Sequence, residues 1–250
     1  MKKSDKYTII ALVILGIGCV VYPHIQRYLF TIRAQNAIAE FEARIYSYRA
    51  DHIRQQTENG IYTNTDIEED HTFWINNVGN FMAFMNARLF FENQDHLTDP
   101  FNHDHPCFSM QPFGLDMNIV GILYIPVIEL NVPVYMGTSL QNLTNGAAHL
   151  THSSFPLGGE STHAVIAGHR NQTYSRVFRD LQHLTVGDEI KITNIVQTLI
   201  YEVIETRVME PNEIDTLAIQ DGRDLVTLIT PYSRWGRGSR YIVVAERVIH

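Results

Sequence analysis

Two stretches of this 250-residue chain gather the residue types that chemistry needs. The first is Ser161–Arg170, STHAVIAGHR, an apolar β-like run that ends on Gly168-His169-Arg170. The second is Val226–Val244, VTLITPYSRWGRGSRYIVV, in which two short β-branched runs, Val226–Thr230 and Arg240–Val244, flank a loop rich in Gly, Ser, Arg and aromatic residues. These patterns read as strand, loop, strand. An imidazole exchanges a proton near neutral pH, and a guanidinium holds an oxygen on which negative charge develops. Singly, a histidine after glycine at a strand end is more often a loop residue than a catalyst, and an arginine opening a strand is more often solvated. Their joint occurrence points to one active site.

The rest of the chain must supply the scaffold. With 45% apolar and 18% charged residues it can bury a substantial core, so one globular domain with an appendage is expected. A net charge of −8 with scattered Lys and Arg argues against a nucleic-acid partner. Two cysteines, Cys19 and Cys107, do not make a disulfide framework. Tyr7–Tyr22 is an uncharged apolar run behind Lys2, Lys3 and Lys6, and no small-x-small cleavage site follows it. It reads as an uncleaved single-pass membrane anchor, residues 1–24, with the remainder outside the cell. Ile25, Leu29, Ile32, Ile38, Phe41, Ile45 and Tyr48 then recur at helical spacing. After the breaking Asn59-Gly60, so do Phe73, Trp74, Val78, Phe81, Met82, Met85, Leu89 and Phe90. Residues 25–98 are therefore expected to form a helical N-terminal region whose aromatic and Met stripe belongs to the core.

From residue 119 to 250 the pattern turns to β. Val120–Ile125, Glu129–Tyr135, Ala147–Leu150, His163–Ala167, Glu189–Thr193, Thr198–Val208, Val226–Thr230 and Tyr241–Val248 are short runs divided by turn signals. About eight strands suffice for a closed, mostly β barrel without long free edges. Two helices are expected to interrupt it: Ser139–Thr144, and one carrying Val177, Phe178, Leu181 and Leu184.

The paired segments resemble the signature strands of the sortases, cysteine transpeptidases of Gram-positive cell surfaces, and those of the pilus-building class C enzymes in particular. Thr227-Leu228-Ile229-Thr230 matches the first four positions of the family's TLxTC strand, and STHAVIAGHR matches its histidine strand. The fifth position departs: class C enzymes continue TLxTCTPY, whereas here Thr230 is followed directly by Pro231-Tyr232, so the nucleophilic cysteine is absent. The resemblance implies a sortase-type barrel, His169 as acid and base, and Arg240 as the oxyanion partner, with Arg234 and Arg237 as competitors for that place. It implies that Asp99-Pro100-Phe101, in a loop spanning residues 99–118, is a lid, Asp99 facing the cationic groups and Phe101 filling the cleft. Thr227, Thr230 and Tyr232 would line the substrate site. The implied function is cleavage of LPxTG-like sorting signals through a thioester, and transfer to a lysine of a pilin subunit at the cell membrane. The alternative is a catalytically inactive homologue that binds sorting signals or pilins. A hydrolase built on Thr230 is disfavoured, because a hydroxyl without dedicated activation is a weak nucleophile.

No cofactor is called for. His103-x-His105 with Asp104, and the pair His149 and His152, offer nitrogen donors but lack zinc-type spacing, so they are expected to be surface loop histidines.

Overall fold

Runs rich in Val and Ile bury well when their strands pair around a shared interior, because alternate side chains point to opposite faces. The computed structural model describes residues 3–58, 71–92, 94, 97–103, 118–170, 177–210, 212–232 and 238–248. Its second half holds eight strands: β1 (Ile119–Ile125), β2 (Leu130–Met136), β3 (Ala147–His149), β4 (Thr162–Ala167), β5 (Glu189–Asn194), β6 (Thr198–Met209), β7 (Asp224–Pro231) and β8 (Arg240–Arg247). They close into a barrel in the order β1-β2-β3-β4-β7-β8-β6-β5. Pairing is antiparallel except for β2 with β3 and β4 with β7.

The register of three neighbouring strands fixes two faces. In β4, β7 and β8 the residues Ala164, Ile166, Val226, Leu228, Val243 and Ala245 turn into the main core. The alternate residues Val165, Ala167, Leu225, Ile229, Ile242 and Val244 form a second apolar cluster on the opposite side of the wall. Leu97 and Phe101, from the segment that precedes the barrel, pack against that second cluster. Burial of each such aliphatic side chain contributes roughly 1.5–3 kcal/mol.

Before the barrel come α1 (Lys3–Glu58) and α2 (His71–Phe91). Ala34, Ile38, Phe41 and Ile45 of α1, with Val78 and Met82 of α2, are buried, and α1 packs on β2 and α2. The anchor and the amphipathic stretch expected on either side of residue 24 are one helix, unbroken through Pro23. An interior proline removes one N–H and crowds the carbonyl four residues back, yet the helix continues through it. A stretch of α1 that begins at Ile9 is long and apolar enough to cross a membrane, which makes it a candidate anchor.

Between β2 and β3 the short helix α3 (Leu140–Asn145) begins at Ser139, whose hydroxyl accepts from the Asn142 N–H at 3.3 Å. It ends at Gly146, where a Cβ would lie 2.6 Å from the Pro133 carbonyl oxygen. The helix expected over Val177–Leu184 is not formed: only one 3-10 turn, Leu181–His183, is present. Val177, Phe178, Leu181 and Leu184 are all buried as their spacing suggests. That spacing fits a turn pressed on the core as well as a helix, and no side chain caps the turn's start at Asp180.

Candidate active site

The site is assembled where β4 and β7 end and β8 begins. The Gly168 N–H donates to the Ile229 carbonyl at 3.1 Å, and the Thr230 hydroxyl donates to the Gly168 carbonyl at 2.8 Å. These two bonds prolong the parallel β4–β7 pairing past its last ladder residue and bring His169 beside the end of β7. Across the β7–β8 ladder Pro231 stands opposite Arg240. Counting by twos along each strand, Pro231 and Arg240 fall on the side of Ile229 and Ile242, and His169 continues the row of Val165 and Ala167. Thr230 belongs to the other row. Its hydroxyl is buried and committed to Gly168, so it is no nucleophile for this groove.

Gly168 is held tightly: a Cβ there would meet the Phe178 ring at 2.6 Å. The Phe178 N–H in turn donates to the His169 carbonyl at 3.1 Å. The His169 imidazole is buried, and among the described residues its Nε2 has no hydrogen-bond partner. Burial pushes its pKa down to about 4, helped by the nearby His103 ring. In this closed arrangement the ring is neutral at pH 7.

Above the groove lies the Asp99-Pro100-Phe101 segment. Asp99 starts a 3-10 turn, Pro100–Asn102, and accepts from the Phe101 N–H. Its carboxylate forms a two-pronged ion pair with Arg240, Nε to Oδ1 at 3.1 Å and Nη2 to Oδ2 at 2.5 Å. Both side chains are nearly buried, Arg240 at 5% and Asp99 at 12% exposure. The Arg240 guanidinium also sits over the Phe101 ring, 5.1 Å from its centre. Phe101 faces the His169 ring at 6.0 Å between centroids. Asp99, Phe101, His169 and Arg240 thus form one contact cluster.

Other sequence-selected residues sit differently. Thr227 is fully buried and its hydroxyl donates to His163 Nε2 at 2.7 Å, while His163 Nδ1 donates to the Ala218 carbonyl at 2.9 Å. Thr227 therefore positions the floor rather than presenting a free group. Tyr232 is half-exposed and stacks on Tyr241. Arg234, Arg237, Cys107, Asp104 and His105 lie outside the described residues. His149 corrects the expectation of a surface loop histidine. It is a fully buried strand residue stacked on Phe155, its Nε2 donating to the Ser154 carbonyl. The alternation of β3 puts it inside. His103 and His152 are exposed as expected. Among the described residues no group of three or more His, Cys, Asp or Glu side chains is placed to hold a metal.

Sequence reasoning gave Arg170 no role, although it adjoins His169. Its guanidinium donates to the Tyr232 carbonyl at 2.9 Å and to Gln182 Oε1 at 2.6 Å, and lies over the Tyr232 ring. It ties the histidine loop to the first residue after Pro231.

This geometry can be set against known proteins. The family model for the sortase domain matches residues 123–248. The chain belongs to the sortase family. It is 30% identical to Sortase D of Bacillus subtilis over 131 residues, 51% of this chain and 63% of that protein. To Sortase A of Listeria monocytogenes it is 29% identical over 129 residues, 51% of this chain and 56% of that protein. The match thus spans less than two thirds of either curated sortase. Among solved structures the neighbours are class C sortases. Sortase C of Streptococcus pneumoniae is 26% identical, with 86% of this chain and 97% of that one covered and a TM-score of 0.67. Sortase C-1 of Actinomyces oris is 33% identical, with 70% and 99% covered and a TM-score of 0.62. Against that family background the sortase domain carries Pro231, not cysteine, directly after its TLIT strand.

Proposed function

We propose that this sortase-family chain is a membrane-tethered receptor for LPxTG-like sorting signals of pilin subunits, holding them in the class C groove without forming a thioester. The carrying observation is Pro231 opposite Arg240 on the face shared with His169. A transpeptidase needs a thiolate there, able both to attack a peptide carbonyl and to leave. Proline offers neither hydroxyl, thiol nor N–H.

The remaining groups keep a binding role. With the Asp99-Pro100-Phe101 lid open, Arg240 donates to a carbonyl of the bound peptide. His169, uncovered by the lid, hydrogen-bonds the backbone beside the same carbonyl. The apolar face of β4, β7 and β8 takes the aliphatic residues of the signal. α1 holds the groove outside the membrane.

A second reading, active class C transpeptidation, is favoured by the His169 and Arg240 pair on one face. In that mechanism Arg240 stabilises the tetrahedral oxyanion, and His169 protonates the departing amine and then deprotonates the incoming lysine. The nucleophile would have to come from another residue. Intact-mass spectrometry after incubation with an LPxTG-like peptide separates the readings. The chain should bind the peptide and show no adduct. Pro231→Cys, which places a thiol at the strand end opposite Arg240, should form an adduct that His169→Ala abolishes. A covalent adduct on the unaltered chain, mapped for example to Cys107, would overturn the receptor reading in favour of catalysis.

A further inference from the structure

In the parallel pairing of β4 with β7, Thr162 stands opposite Asp224 and Ala167 opposite Ile229. Carried past the last ladder pair, that register sets Gly168 against Thr230, His169 against Pro231 and Arg170 against Tyr232. The even-numbered residues of β4 are the bonded ones: the Thr162 N–H donates to the Arg223 carbonyl at 3.0 Å and the Gly168 N–H to the Ile229 carbonyl at 3.1 Å. A parallel ladder alternates each such bond with its return, in which the residue two places further along the partner strand donates to the same residue's carbonyl. For Gly168 the return donor would be the N–H of residue 231, and that residue is proline, which has none. The Gly168 carbonyl accepts instead from the Thr230 hydroxyl at 2.8 Å. Beyond His169 the two chains are again joined by a side chain, Arg170 Nη1 donating to the Tyr232 carbonyl at 2.9 Å while Nη2 donates to Gln182 Oε1 at 2.6 Å.

We infer that Thr230 and Arg170 are positioning residues: their side chains bridge the gap that Pro231 leaves in the ladder, and so hold His169 on the groove face. His169 lies between the two clamps. Its own carbonyl accepts from the Phe178 N–H at 3.1 Å, and Gly168 before it has no room for a Cβ against the Phe178 ring. The backbone is thus held before and after the histidine. The ring is not held in the same way, since its Nε2 has no partner among the described residues. Its place against Phe101, 6.0 Å between centroids, is therefore inherited from the backbone. Without the Thr230 hydroxyl the Gly168 carbonyl is an acceptor on a buried residue with no donor. Relief comes from parting the strand ends until water reaches that carbonyl, which carries His169 away from Phe101 and into solvent. The role concerns where His169 sits, and it is the same whether the groove binds a peptide or cleaves one.

The test reads His169 itself, in the full chain in detergent micelles with histidine rings labelled for NMR and the His169 signal identified by its loss in His169→Gln. Burial holds its titration midpoint at about 4, whereas a ring released to water titrates at about 6.5. Thr230→Val, which keeps the shape and removes the donor, should raise the midpoint to about 5 or above, and Thr230→Ser should leave it where it is. Arg170→Met should raise it as well, and Arg170→Lys, with a donor left for the Tyr232 carbonyl, should not. Pro231→Ala returns the missing N–H, so in that background Thr230→Val should no longer move the midpoint. Should Thr230→Val alone fail to fold, a folded double variant supports the inference and an unfolded one counts against it. An unmoved midpoint in folded Thr230→Val, or a rise that Pro231→Ala does not suppress, would overturn the role of Thr230. An unmoved midpoint in Arg170→Met would overturn that of Arg170.

Discussion

Replacing Asp99 with alanine tests whether the segment over the groove is a lid. In the closed state the Asp99 carboxylate and Arg240 share two hydrogen bonds with both side chains nearly out of water. Hydrogen bonds to charged groups contribute about 1.5–3 kcal/mol each. Opening the lid returns Arg240 to solvent or to a ligand carbonyl, so only part of that sum biases closed against open. Taking about 2 kcal/mol, the ratio of open to closed shifts by roughly 30-fold, since each 1.4 kcal/mol is a factor of ten. A ligand that binds only the open form then gains apparent affinity by up to the same factor, until opening is complete. Removing the Phe101 ring as well deletes a cation–π contact worth about 0.5–1 kcal/mol. Fluorescence anisotropy with a labelled LPxTG-like peptide measures the affinity, and a thermal melt of each variant reports global stability. Tighter binding with a nearly unchanged melting temperature is the expected pair of results. Unchanged affinity with a melting temperature several degrees lower would refute the reasoning, because the segment would then be a fixed part of the fold.

Acid should unfold this protein earlier than its carboxylates alone require. Burial lowers His149, His163 and His169 to about 4, so the unfolded chain takes up protons first. Stability is complete above about pH 6.5 and falls as pH drops towards 4, each histidine contributing at most about 3 kcal/mol. Melting temperatures that stay flat over that window would exclude it. Gly168→Ala drives a methyl into the Phe178 ring and should cost about 1–3 kcal/mol in a denaturant titration, with Phe178→Leu recovering part of the loss. If the apolar stretch of α1 is an anchor with its lysines inside, protease added to intact protoplasts should remove the barrel, and a protected barrel would reverse the orientation.

Much of the barrel was legible because its strands are short runs rich in apolar and β-branched residues, Val226–Thr230 buried on both faces of β7 and Thr198–Val208 alternating over the first half of β6. What periodicity cannot show is which strands become neighbours. The parallel pairing of β4 with β7 sets residues such as Ile166 and Leu228 side by side across a long stretch of chain, and no local pattern announces it. The Val177–Leu184 run misled because four apolar residues at that spacing serve a buried turn as readily as a helix. His169, Arg240 and Asp99 were legible only as members of two signatures and a tripeptide, since each residue alone is unremarkable. The buried pairs of His163 with Thr227 and of His149 with Ser154 were not legible. Their partners come from other strands or from loops, and a histidine inside a β run looks the same whether it faces water or core.

The position of β8 has a consequence for how the molecule comes into being. It is the last strand in the chain, yet it lies between β7 and β6 in the ring. Until it inserts, the barrel is an open sheet with two unpaired seams. The same strand delivers Arg240, whose carboxylate partner Asp99 lies 141 residues earlier. Contacts so distant in sequence form late in folding, because chain closure must be met before they repay it. A chain emerging N-terminus first therefore cannot close Asp99 onto Arg240 before β8 is in place. The stave that completes the barrel also brings the guanidinium on which the Asp99 segment rests, so barrel closure and the covering of His169 are set by one and the same strand.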